Sequence, residues 1–311
     1  MSIPALLRLE RVDKGHLAQA GGKGANLGEI MAAGFPVPPA FVVTVACGAA
    51  FLRESKLDLL IAKHLDCIQG NRPAALTAAV APVLKAFEAA RMSPGLAAAI
   101  LEEYETLGAG PVAVRSSALA EDSAEASFAG AQSTFLDVVG RDALLEAVKA
   151  CWASQFRTEA VAYRAMRGLP LAGTGMAVVI QRMAQATLAG VIFTCDPVTN
   201  ASDRMLIQAV SGLGESLVSG EASPQSYWVE KASLQGSFEP LDHQLQQAEL
   251  LDGPTLKELA LLGRRLEEHY GHPQDVEWAI EAGHAFILQS RPITTLGDSV
   301  VALKQGLPLQ G

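Results

Sequence analysis

Pro273-Gln274-Asp275-Val276-Glu277-Trp278-Ala279-Ile280, followed a few residues later by Phe286-Ile287-Leu288-Gln289-Ser290-Arg291-Pro292, is the stretch that decides how this chain is read. Its two halves alternate across a turn containing Gly283, the pattern of a β-hairpin. With the turn centred on Gly283, Glu277 faces Gln289 and Asp275 faces Arg291 on the same side. Trp278, Ile280, Phe286 and Leu288 are expected to anchor the hairpin. Magnesium takes hard oxygen ligands in an octahedral shell and keeps phosphate oxygens among them, so Glu277 and Gln289 are candidate metal ligands. Arg291 could meet a terminal phosphate through its planar donor fork. The plainer reading is an exposed polar face on which Asp275 pairs with Arg291.

Further out, Gly21-Gly22-Lys23-Gly24-Ala25-Asn26 opens an apolar helical pattern that ends near Gly34. Glycines let backbone N–H groups approach a phosphate, the helix start is positive, and Lys23 adds a compact charge. The spacing is not that of a loop closing on Gly-Lys-Ser/Thr, and a glycine turn with a solvated lysine explains the string equally well. Arg115 follows the strand candidate Val112–Val114 and stands beside Ser116 and Ser117, where it can bind an anion bidentately or pair with Glu121 or Asp122. Residues 118–133 are small and acidic and read as a mobile loop, with Gly130, Gln132, Ser133 and Thr134 placed to close over phosphates. Glu215, after Gly212-Leu213-Gly214, either accepts from a sugar hydroxyl or sits on a turn.

The whole chain, 311 residues with 24 Lys and Arg against 33 Asp and Glu, carries a formal charge of −9. Such a surface repels a nucleic-acid backbone, and the few basic residues above are dispersed, which suits a pocket for one small anion. Cys47, Cys67, Cys151 and Cys195 have no Cys-x-x-Cys spacing and read as free thiols in a reducing compartment. No compact signal segment opens the chain and no window offers the roughly 20 apolar residues that span a bilayer. A cytoplasmic protein without nucleic-acid or membrane partners is expected.

Helices are expected in the alanine-rich region 45–107, over Arg141–Met166 and over Leu256–Tyr270, and strands at Phe41–Thr44, Met176–Gln181, Leu188–Thr194, Met205–Val210 and Tyr227–Glu230. Residues 231–253 read as a surface excursion. The fold class is α/β in its α+β form, with two lobes: residues 1–175, containing the helical support region and the phosphate-covering loop, and residues 176–311, containing the hairpin.

Taken in order, Gly22-Lys23-Gly24-Ala25-Asn26-Leu27, Pro36-Val37-Pro38-Pro39, Val114-Arg115-Ser116-Ser117-Ala118, Ser127-Phe128-Ala129-Gly130, Gly212-Leu213-Gly214-Glu215, Pro273-Gln274-Asp275-Val276-Glu277-Trp278 and Gln289-Ser290-Arg291-Pro292 closely resemble the nucleotide-binding region of the phosphoenolpyruvate synthase and pyruvate phosphate dikinase family, which includes rifampicin phosphotransferase. The likeness runs over about residues 10–294. It implies an ATP-grasp-like fold with a nucleotide cleft between two lobes, and ATP and magnesium as cofactors. By the same likeness Lys23 and Arg115 match phosphate-binding positions, and Gly130, Gln132, Ser133 and Thr134 match the loop over the triphosphate. Gln181 and Met183 match positions at adenine, Glu215 one near the nucleoside, Glu277 and Gln289 magnesium ligands, and Arg291 a residue acting on the transferring phosphoryl group. Catalysis would rest on Lys23, Arg115 and Arg291. Relatives carry a mobile domain with a phosphorylated histidine, and none of the six histidines here lies in the Gly-Gly-x-Thr-Ser-His context. The implied partner is that domain, on a separate protein or on a missing portion of the same enzyme, and the other reading is a nucleotide-binding regulatory subunit. Asn200 stands where the family usually has glycine after Pro-x-Thr, a turn position that asparagine tolerates.

Overall fold

The computed structural model describes residues 6–65, 73–119, 133–172, 175–213, 223–239 and 248–293. They form two compact units, the first Met1–Glu29 with Pro39–Met183, the second Ile30–Pro38 with Ala184–Gly311. Each unit is built on its own sheet, and every strand pairing among the described residues is antiparallel, the α+β form of the expected mixed class.

The first sheet contains β1 (Leu7–Arg8), β2 (Ala40–Val43), β3 (Val112–Ala118), β4 (Thr134–Val138) and β5 (Met176–Arg182), in the order β1-β2-β5-β3-β4. Alternation divides its faces. Val112 and Val114 on β3, with Val178 and Ile180 on β5, join one apolar core with α2 (Val45–Glu54), α3 (Leu57–Leu65), α4 (Pro73–Ala89), α5 (Pro94–Thr106), α6 (Arg141–Ser154) and α7 (Thr158–Met166). Phe51 stacks on Trp152 in that core with ring centroids 5.0 Å apart. Ala113, Arg115 and Ser117 face the other way, in register with Gln181, Val179 and Ala177 of β5. On that side lies α1 (Leu17–Ala32), close enough that a Cβ on Gly24 would be 3.4 Å from Val42 and 3.5 Å from Val179.

Two expectations for this unit change. The polar string Arg115-Ser116-Ser117 does not leave the strand but continues β3, because its backbone pairs with Val179, Val178 and Ala177. The helix expected over Arg141–Met166 is two helices: Phe156 N–H and Arg157 N–H bond to Ala153 and Ser154 carbonyls three residues back, and the tightened turn drives Phe156 into the core. The two units divide after Met183, because β5 pairs with both β2 and β3 and so belongs to the first sheet.

The second sheet runs β11-β10-β6-β7-β8-β9, with β6 (Leu188–Phe193), β7 (Arg204–Ser211), β8 (Gln225–Glu230), β9 (Gly236–Glu239), β10 (Gln274–Glu281) and β11 (His284–Pro292). Strand β9 lies in the segment expected to be a surface excursion. One face is covered by α8 (Gly253–Tyr270), whose Leu256, Leu259, Leu262 and Leu266 are buried. Asp252 caps its start by accepting from Thr255 N–H at 2.9 Å, and Gly271, at φ 73°, ends it in the left-handed conformation. Among the described residues no helix is long and apolar enough to cross a membrane. Cys47, Cys151 and Cys195 are buried free thiols; Cys67 lies outside the described residues.

Candidate functional site

The hairpin of β10 and β11 turns on two residues, Ala282 and Gly283, at φ 50° and 80°. Positive φ at both central positions is the geometry that matches strand twist in a two-residue turn. That turn alone would set Glu277 opposite Leu288. A bulge beside Glu277 and Trp278 takes Leu288 as an extra residue, so the ladder beyond it reads Glu277 opposite Gln289 and Asp275 opposite Arg291. The expected partners therefore meet, through a shorter turn and a bulge rather than a turn centred on Gly283. The anchoring set changes as well. Trp278 and Ile280 are buried, whereas Phe286 pairs with Ala279 on the opposite face and Leu288 packs against a small alanine cluster.

Val276 shares its face with Ile192, which touches α8 at Gly263, so Asp275, Glu277, Gln289 and Arg291 stand on the face away from that helix. Arg291 Nε and Nη2 both lie 2.9 Å from Asp275 Oδ2, and the arginine side chain is 57% exposed. Burial pushes the Asp275 carboxyl above its ordinary value; Arg291 opposes this and Glu277 adds to it. Beneath the pair, Ser290 Oγ donates to Gln274 Oε1 at 2.8 Å and Gln274 N–H donates to Thr194 Oγ1 at 2.8 Å, all three residues being buried. This tie fixes the end of the hairpin that carries the charged residues. Glu277 and Gln289 offer a carboxylate and an amide oxygen side by side, a donor set suited to a hard cation such as magnesium.

The first unit brings Lys23 and Arg115 together around one strand. Lys23 is 5% and Arg115 8% exposed, and Lys23 Nζ donates to the Ser116 carbonyl at 3.3 Å. The glycine string lies inside α1 and leaves helical geometry at Gly21, at φ 69° and ψ 177°, and the helical segment that carries Lys23 starts after it. Thr134 pairs with Arg115 across the β3–β4 ladder and is exposed, while Ser133 is buried and donates its N–H to Ser116 Oγ at 3.0 Å. Gln181 is 2% exposed, lies between Ala40 and Ala113 in the ladder, and has an Nε2 with no hydrogen-bond partner among the described residues. A buried amide donor flanked by two methyl groups is suited to a polar, planar ligand edge. Met183 is buried at the end of the unit, its N–H on the Pro111 carbonyl at 2.9 Å. Gly130, Gln132 and Glu215 lie outside the described residues, as do Glu121 and Asp122.

Sequence reasoning passed over Ser116, Ser117, Gln274, Ser290 and Thr194, although the Arg-Ser-Ser string was a visible signal for the first two. Asp196 is a further residue that it did not single out. That carboxylate is buried and tied to Arg204, and Asn200, three residues beyond Pro197, does adopt a left-handed φ of 64°.

The chain that carries these two groups of residues matches a nucleotide-binding class of domain. A family model described as "Pyruvate phosphate dikinase, AMP/ATP-binding domain" matches residues 17–306, and the chain belongs to that family. A probable phosphoenolpyruvate synthase of Methanothermobacter thermautotrophicus is 39% identical over 93% of this chain and 46% of its own length. The one of Methanocaldococcus jannaschii is 40% identical over 89% of this chain and 26% of its own. A rifampicin phosphotransferase of Streptomyces is 36% identical over 95% of this chain and 36% of its own. The chain thus spans less than half the length of each of these curated relatives. A D-alanyl-alanine synthetase A of Vibrio cholerae aligns with a TM-score of 0.33 and 10% identity over 90% of this chain and 60% of its own, a likeness that carries no weight here.

Proposed function

We propose that the chain is the nucleotide module of a phosphotransferase, ATP-grasp-like in fold, which holds ATP with magnesium and phosphorylates a histidine on a swivelling domain. The observation that carries this reading is the hairpin register, in which Glu277 stands opposite Gln289 one step from Asp275 and Arg291. Glu277 and Gln289 would hold the metal, which when bound neutralises charge on phosphate oxygens. Lys23 and Arg115, both buried, are cations whose electrostatic effect water screens little. With Arg291 they would stabilise charge developing on the phosphoryl group, so that catalysis rests on positioning and electrostatics with no covalent nucleophile from this chain. Gln181 and Met183 would meet the base, and Ser133 and Thr134 the phosphates together with Gly130 and Gln132. Glu215 would lie near the sugar.

The phosphoryl acceptor would be carried by a further domain, on a separate protein or on the rest of a longer enzyme, a reading supported by the chain's spanning less than half the length of these relatives. Calorimetry of ATP with and without magnesium tests the core of the proposal. Glu277→Ala is expected to abolish the magnesium enhancement, about 10- to 100-fold in affinity as for loss of a charged ligand interaction. Unchanged magnesium dependence in a folded variant would overturn the metal assignment. Acid-labile phosphorylation of an added swivelling-domain protein supports transfer, whereas tight ATP binding with no transfer assigns a regulatory role.

A further inference from the structure

We infer that Ser117 is a positioning residue for Lys23: its hydroxyl closes the break in α1 and fixes where the helical segment carrying that lysine begins. The inference rests on the nucleotide reading of Lys23 and adds a residue that acts through it. At Gly21 the backbone leaves helical geometry, so the carbonyl before the break and the N–H groups after it lose their intrahelical partners. Ser117 Oγ serves both ends, donating to the Ala20 carbonyl at 2.8 Å and accepting from Gly24 N–H at 3.1 Å. A hydroxyl is the small side-chain group that donates and accepts at once, and Ser117 is fully buried, so water does not take over either bond. The approach is close enough to exclude any side chain at Gly21, where a Cβ would lie 2.2 Å from the Ser117 carbonyl oxygen.

Lys23 sits between the break and the capped Gly24, and its Nζ returns to the same strand at the Ser116 carbonyl. The neighbouring serine does a different task. Ser116 Oγ, on the opposite face of β3, accepts from Ser133 N–H at the start of β4. The two serines of Arg115-Ser116-Ser117 thus attach the arginine strand to two separate parts of the unit, α1 and the approach to β4.

A double-mutant cycle in ATP affinity separates these roles. Ser117→Ala is expected to weaken ATP binding about 10-fold, as when a buried donor and acceptor are left unpaired. Lys23→Met should weaken it more, and the double variant should bind no worse than Lys23→Met alone. Ser116→Ala combined with Lys23→Met should instead multiply the separate losses. Multiplying losses for Ser117 and Lys23 would overturn the inference. Should Ser117→Ala not fold, Ser117→Cys, with its weak donor, reads the same coupling. In the nucleotide-free chain, Gly24 amide exchange should be about 10-fold faster in Ser117→Cys, and unchanged exchange would overturn the helix joint itself. Faster exchange in the variant with no ATP binding by the parent chain would remove the nucleotide reading, and with it the role given to Lys23, while leaving the joint intact.

Discussion

Two aspartate–arginine pairs in the second unit are tuned in opposite directions. Asp196, in the turn after β6, is 1% exposed and accepts from Val198 N–H at 2.8 Å, Thr199 N–H at 3.1 Å and Arg204 Nε at 3.1 Å. Burial works to raise its pKa, but the bonds from Thr199, Arg204 and the Val198 backbone outweigh it, taking the carboxyl from 3.8 to about 2. Asp275, on the hairpin, has Arg291 as its donor and Glu277 as a like-charged neighbour, and burial carries its pKa upward. The guanidinium groups differ as well: Arg204 lies over the Trp228 ring at 4.4 Å, whereas Arg291 projects from an exposed strand end. A carboxylate with a full set of fixed donors is scaffold. One whose donor is a single, largely exposed arginine is held less firmly.

The contrast is broken most directly by Asp196→Ala. Three donors lose their acceptor in a buried turn, and stability should fall by about 3 kcal/mol, measured as the urea midpoint at pH 7. A loss below about 1 kcal/mol would mean that Asp196 is no more structural than a surface pair.

Acid titration gives the next effect. Asp196 has a depressed folded pKa, so its contribution is present above the unfolded value of 3.8 and is lost as pH falls through about 2. The change should be about 1–2 kcal/mol, smaller than the full shift would give because Arg204 is 43% exposed and screened. Urea midpoints between pH 5 and pH 2, compared with those of Asp196→Asn, measure it, and parallel curves would show that the pair does not govern this window.

How much of this was legible in the sequence follows from how local each feature is. The hairpin declared itself because alternation within one short stretch places both strands and the facing charges. Its pairing came out right although the turn is one residue shorter than assumed, because the bulge at Leu288 restored the count. The corner around Lys23 and Arg115 has no such local signal. It depends on β3 and β5 pairing across a long stretch of chain, and only the family resemblance named those residues together. Within single segments, periodicity failed where it could not see a boundary. Apolar spacing continues through Gln155–Arg157 without a glycine or proline, so two helices read as one. The apolar run Met176–Gln181 announces a strand without saying which sheet receives it. Asp196 was passed over because an Asp-Pro string reads as a turn whether or not its carboxylate is buried.

The smallest effect is the sharpest test of the difference between the pairs. A raised folded pKa means that the stability Asp275 contributes is fully present below its unfolded pKa, where it is protonated, and is lost as pH rises through the folded value. At neutral pH the ionised side chain therefore opposes folding, and Asp275→Asn removes that charge while keeping the shape. Its arginine partner is 57% exposed and loses little by release into water. The urea midpoint of Asp275→Asn at pH 7 should stay within about 1 kcal/mol of the parent, on the stabilising side, and its stability should vary less with pH on the acid side. A loss as large as that of Asp196→Ala would make Asp275 scaffold too, and the difference between the two pairs would be gone.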